Sequence, residues 1–168
     1  MLVLVWPAVP APDDVVRAVE AGFERSVAEL CDLARIPGIS AEGFDPEEVE
    51  RSAHRVAELS AGAGLERVEI LRVPGAHPAV VAEWTRAGAG APSVLFYAHH
   101  DVQPPGRVER WRTPPFQPTR GAGGRLYGRG IVDDKAGVVL QLAALRAWLE
   151  ARGELPLNAK LVVDAIAG

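Results

Sequence analysis

His99 and Asp101 stand two residues apart in the segment Tyr97-Ala-His-His-Asp-Val-Gln-Pro, just after the apolar run Ser93-Val-Leu-Phe-Tyr-Ala. On an extended chain, residues two apart project to the same side. A carboxylate in that place can accept a hydrogen bond from one imidazole nitrogen while the other faces a metal ion, which fixes the tautomer and makes the ligating nitrogen more basic. A His-x-Asp triplet at a strand end is equally a polar turn, and the triplet alone does not choose between the two. Further along comes Leu126-Tyr-Gly-Arg-Gly-Ile-Val-Asp-Asp-Lys, leading into a helical pattern. Asp133 or Asp134 fits the cap of that helix, where a short carboxylate takes up an otherwise unpaired backbone N–H. His100 should point away from His99 and reads as a packing or pocket-wall residue. Lys135 reads as facing solvent or the neighbouring loop with no catalytic part, His54 as a polar residue on a helix surface, and His77 as a surface residue in a Pro-Gly turn.

The elements that must position these side chains follow from periodicity and punctuation. Asp13 is a plausible N-cap, and Val16, Val19, Phe23, Val27 and Leu30 recur at helical spacing, which predicts one amphipathic helix to about Arg35. Asp45 as cap, Pro46 at the first helical position and Glu47 and Glu48 in the first turn announce a second helix. Its inward residues are Val49, Val56 and Leu59, and Ala61-Gly-Ala-Gly ends it. Arg67-Val-Glu-Ile-Leu-Arg-Val, Ala79-Val-Val-Ala-Glu-Trp and Ser93-Val-Leu-Phe-Tyr-Ala read as strands. The last is apolar at nearly every position, as in a strand buried on both faces in the middle of a sheet. The segment from Gln103 to Gly130 is rich in Pro, Gly and Arg, too long for a passive connector and therefore a candidate functional loop. Val138, Leu142, Leu145 and Leu149 mark a further helix, and Lys160-Leu-Val-Val a last strand. The expected fold class is α/β, a layered domain with a mostly parallel central sheet flanked by helices. Open sheets of this kind bind ligands beyond the carboxyl ends of their strands, where His99 and Asp101 lie.

The two motifs, in this order, resemble those of the co-catalytic zinc metallopeptidases that include carnosinase-like dipeptidases, glutamate carboxypeptidase, acetylornithine deacetylase and succinyl-diaminopimelate desuccinylase. The resemblance covers most of the chain. It implies that His99 ligates one zinc ion, that Asp101 is the catalytic residue that positions or assists the site, and that Asp133 bridges two zinc ions. A shared carboxylate suits two nearby dications because it offsets their repulsion and fixes their spacing. Zinc is the implied cofactor, two ions per complete site, with manganese or cobalt as substitutes. The implied reaction is hydrolysis of a peptide bond in a small peptide by a two-metal-activated water, with an N-acyl amino-acid deacylase as the alternative. The Asp-Val-Gln-Pro wording leans toward dipeptidase. Trp111-Arg-Thr-Pro-Pro-Phe resembles the family's inter-motif loop and reads as structural.

The family pattern continues past the last strand with a Glu-Glu pair, whose first member is the general base, and here Leu161-Val-Val-Asp-Ala-Ile-Ala-Gly stands instead. Residues 13–168 are therefore expected to be an incomplete catalytic domain without its lid or dimerisation domain, preceded by a loosely ordered segment at 1–12. The chain alone is expected to bind metal weakly and to lack turnover, a non-catalytic fragment; the full-length protein could form a homodimer.

Composition narrows the classes further. The chain has 168 residues, 48% of them hydrophobic, and a net charge of −4. The arginines form no block able to track a phosphate backbone, so no nucleic acid partner is expected. Cys31 is the only cysteine, which excludes an internal disulfide or a cysteine zinc knuckle and fits a reducing cytoplasm. The apolar start is short, lacks a basic flank and is broken by Pro7 and Pro10, against a signal peptide or membrane span. The Gly121–Gly130 glycines match neither dinucleotide nor phosphate-loop patterns, and no G-x-S-x-G or H-E-x-x-H is present.

Overall fold

The structure is a computed structural model that describes residues 10–165. Most of the expected amino-terminal loose segment therefore lies outside the described residues, and so does the end of the chain after Ala165.

The first helical pattern is two helices, not one. α1 runs over Asp13–Ala21 and α2 over Phe23–Ala34, with Gly22 between them. Pro12, not Asp13, occupies the cap position of α1. Val16, Val19 and Phe23 are exposed rather than inward, while Val15, Leu33 and Ala34 are buried. α3 spans Pro46–Gly62 as expected, with the Asp45 carboxylate accepting the Glu47 N–H at 2.9 Å. Val49, Val56 and Leu59 are buried.

β1 (Arg67–Leu71), β2 (Ala79–Trp84), β3 (Ser93–His99) and β6 (Asn158–Asp164) form a four-stranded sheet in the order β1-β2-β6-β3. Only β3 and β6 pair in parallel; β1 with β2 and β2 with β6 are antiparallel. The layered α/β class holds, but the sheet is mixed rather than mostly parallel. The reason is the direct turn-bounded return from β1 to β2, which local patterning cannot distinguish from a crossover. Two-residue strands β4 (Thr119–Arg120) and β5 (Leu126–Tyr127) pair within the long loop.

Alternation fixes which face is inside. Val80, Ala82 and Trp84 of β2 lie opposite Val163, Leu161 and Ala159 of β6, and Ala98 continues the row onto β3. α4 is Lys135–Arg152. The row joins Leu33, Ala53, Val56 and Leu59 and α4 residues Val138, Leu142 and Leu145 in a single core. On the opposite face Glu83 pairs with Lys160 at 2.5 Å. β3 is therefore an edge strand with one buried face, contrary to its apolar reading: Leu95 is 64% and Tyr97 52% exposed. An open edge carrying exposed apolar side chains invites pairing between chains. Leu95→Lys is expected to lower concentration-dependent association, read by light scattering, while leaving the melting temperature close to that of the parent.

Three elements meet beyond the carboxyl end of β3. The chain after α2 is stitched to it by a parallel bridge between Ile39 and Val102 and by the Val102 N–H donating to the Gly38 carbonyl at 2.9 Å. Gly38 passes so close to α3 that a Cβ there would sit 3.1 Å from the Glu48 carbonyl oxygen. At the start of α4, Gly130 has φ of +79° and a Cβ would press on Val102, so only glycine fits both demands. Lys135 is not solvent-facing: it is fully buried, and its ammonium donates to the carbonyls of Leu33 at 2.9 Å and Ile36 at 2.7 Å. Leu33 lies in the last turn of α2 and Ile36 two residues beyond the helix, where its dipole favours a cation. Among the described residues, no helix is long and apolar enough to cross a membrane.

Candidate metal centre

β3 delivers His99 to the rim of the sheet, and the turn that follows returns Asp101 to the same side. The His99 Nδ1 and Asp101 Oδ1 lie 3.0 Å apart. Asp101 is buried, and its other oxygen accepts the hydroxyl of Ser40. On the far side of the ring, His99 Nε2 stands 3.2 Å from Asp133 Oδ1. The three residues singled out from sequence are thus together, although Asp133 comes from a different segment. Asp133 is 85% exposed, which leaves its second oxygen open. A hollow of about 150 Å³ is lined by these three with Val102, Gln103 and Arg129.

The neighbouring positions sort differently. Asp134 sits at the cap position of α4 without a capping hydrogen bond from its side chain. It instead accepts the backbone N–H of His99 at 3.2 Å, tying the second motif to the first. His100 points away from His99 as expected, is fully buried, and donates from Nε2 to the Pro78 carbonyl at 3.0 Å. His77 is half-buried and donates to the Ser40 carbonyl at 2.9 Å, and His54 is exposed with Glu50 at 3.3 Å. The loop of residues 103–130 is pinned by its own contacts. Trp111 donates to the Pro105 carbonyl at 2.9 Å, and the Arg129 guanidinium lies 5.2 Å above the indole ring.

The electrostatics favour a cation at the ring. Burial works against a charged His99, but the charge of Asp101, the hydrogen bonds to Asp133 and Asp101, and the charge of Asp134 outweigh it, so the pKa stands above the ordinary 6.5. Burial dominates at His100 and pushes its pKa down, keeping that ring neutral.

Geometry permits a test of metal fit. In the neutral ring with Nδ1–H donating to Asp101, the Nε2 lone pair faces a carboxylate oxygen, an arrangement that a cation between them satisfies, whereas a protonated ring donates to Asp133 directly. Two atoms each bound to a tetrahedral zinc at about 2.0–2.1 Å lie about 3.3 Å apart. The observed 3.2 Å fits two ligands of one ion. No described group of three or more His, Cys, Asp or Glu completes a metal cage.

Sequence reasoning missed Ser40 and misplaced Lys135. Neither carried a periodic signal. The only hint was a lysine directly after two aspartates at a helix start, where a charge repels the local dipole and needs another reason to be there.

Residues 95–165 match the model of peptidase family M20/M25/M40. That stretch of the chain is similar to a segment of that family. Curated relatives include the succinyl-diaminopimelate desuccinylases of a Methylobacterium species, 38% identical over 122 residues, and of Bordetella parapertussis, 37% identical over 101 residues. These alignments cover 72% and 60% of this chain but only 29% and 26% of the relatives. Among solved structures, human carnosine dipeptidase 1 aligns with a TM-score of 0.79 at 27% identity, covering 92% of this chain and 35% of that one. An M20 family metallo-carboxypeptidase from Sulfolobus solfataricus aligns with a TM-score of 0.73 at 29% identity, covering 83% and 30%. The chain thus spans about a third or less of these proteins' length, and the stretch matched by the family model runs from within β3 through the Asp133 motif and α4 to the end of β6.

Proposed function

We propose that this chain contributes to a metal-dependent hydrolase site that cleaves the amide bond of small peptides. The observation that carries the reading is the convergence of His99 Nε2 and Asp133 Oδ1 at a metal-ligand separation, with Asp101 behind the ring. In this reading His99 and Asp133 hold the ion, the open second oxygen of Asp133 is free to reach another, and Asp101 keeps the proton on Nδ1. Zinc, or manganese or cobalt in its place, would supply Lewis acidity toward the amide carbonyl and a more acidic water. Residues beyond these two ligands would have to come from outside the described set, because catalytic zinc normally has three protein ligands. A small peptide or N-acyl amino acid is the proposed partner.

The likeness to desuccinylases at 37–38% identity favours a second reading, removal of an acyl group from an amino acid. Both readings use the same residues on the same bond type. They separate by incubating the chain and zinc with unblocked dipeptides and with N-succinyl amino acids and following amino-acid release by mass spectrometry. Zinc uptake near one ion per chain is expected by calorimetry, with any release slow and abolished by chelation. A chain that takes up no zinc, or release that persists after chelation, sinks the metal reading.

A further inference from the structure

Asp101 can orient His99 only if it is itself held, and the geometry shows how. Its Oδ1 faces His99 Nδ1 at 3.0 Å, and its Oδ2 accepts the Ser40 hydroxyl. Ser40 is 7% exposed and Asp101 3%, so water competes little for this contact. The loop carrying Ser40 is fastened at four points. The Ile36 carbonyl accepts from the Lys135 ammonium, the Gly38 carbonyl accepts from the Val102 N–H, Ile39 bridges to Val102, and the Ser40 carbonyl accepts from His77. Two of those fasteners grip Val102, the residue next to Asp101, so hydroxyl and carboxylate share one frame. Lys135 extends this frame to the start of α4, two positions from Asp133.

We propose that Ser40 is a positioning residue of the metal centre: held by the buckle of residues 36–40, it fixes the Asp101 carboxylate so that His99 carries its proton on Nδ1 and presents Nε2 toward Asp133. This rests on the metal reading above, and the two can be separated. Without Ser40, the Asp101 carboxylate loses one of the contacts that hold it, and the neutral ring can more readily place its proton on Nε2 and donate to Asp133, where it blocks a metal ion. Loss of such an outer contact typically weakens metal affinity by about 10–100-fold.

The test uses the metal-free chain at a pH where imidazole is neutral. ¹⁵N spectra of the His99 ring report which nitrogen carries the proton, and zinc calorimetry follows on the same samples. Ser40→Ala is expected to move the ring from Nδ1–H to a mixture of tautomers and to weaken zinc binding about tenfold. Ser40→Thr, which keeps the hydroxyl, is expected to restore both. If Ser40→Ala does not fold, Ser40→Cys, similar in size with a weak donor, takes its place in the same two measurements. A Ser40→Ala chain with the parent's tautomer and affinity overturns the proposal, and so does a Ser40→Thr chain that folds but fails to restore them. If the parent chain takes up no zinc, the metal reading falls while the tautomer measurement still decides the role of Ser40.

Discussion

His99→Ala is expected to weaken zinc binding to this chain by at least about a hundredfold, equivalent to about 2.7 kcal/mol of binding free energy. In the proposed centre the ring nitrogen is one of two ligand atoms that the described residues offer to an ion, the other being the Asp133 oxygen 3.2 Å from it. Asp133→Ala should lose affinity to a similar degree. Asp101→Asn keeps the shape but removes the charge that helps hold the ring, and is expected to cost about 10–100-fold. His54→Ala is the control: His54 and Glu50 lie 3.3 Å apart one turn from each other on α3 and could take up zinc at the surface. Calorimetric titration of the four variants, each checked for an unchanged melting curve, decides the matter. Equal affinity in the parent, His99→Ala and Asp133→Ala, with loss in His54→Ala, would place the ion on the surface of α3 and remove the proposed centre.

The second large effect concerns stability. Lys135→Ala is expected to lower the unfolding free energy by about 3–5 kcal/mol in urea titrations. The Ile36 carbonyl would lose its lysine donor, at about 1–3 kcal/mol, the Leu33 carbonyl would keep only the Ile36 N–H, and the lysine stem would leave a void. Lys135→Met fills the void and should cost less. Comparison of parent and Lys135→Met across pH adds a sign test. Burial pushes the Lys135 amine down to about 7, partly opposed by the charges of Asp101 and Glu48. In the unfolded chain a lysine titrates near about 10.4. Between these values the unfolded chain binds a proton that the folded chain does not, so this group makes stability rise with pH. Below the folded value both states are protonated and its contribution is flat. The stability of the parent relative to Lys135→Met should therefore increase from about pH 7 to about pH 10. A difference that is constant or falls across that window would mean that the amine stays charged in the fold.

How much of this was legible beforehand depended on the range over which each signal acts. The Asp45 cap with Pro46 and the acidic first turn announced α3, and α3 begins there. The two residues of the His-x-Asp triplet were read as sharing a side because strand geometry makes that a local matter, and their 3.0 Å contact bears it out. Helix phase across Gly22 was misjudged because a glycine tolerates either continuation or a break. The pairing partners of β3 were invisible, since an apolar run reports affinity for a buried face and not how many faces are covered.

Residue types and their local spacing determined that this chain makes α and β elements, that an imidazole with its carboxylate stands at a strand end, and that a second carboxylate opens a later helix. Only the tertiary structure decided that the sheet is mixed with β3 at its edge, that Lys135 is buried under the end of α2, and that Ser40 reaches Asp101. The physical reason is that hydrogen bonds within a turn or strand are fixed by neighbours in sequence. The register between strands, and the choice of which loop lies over a buried ammonium, are set by whole faces packing together across distances in sequence that no local pattern encodes.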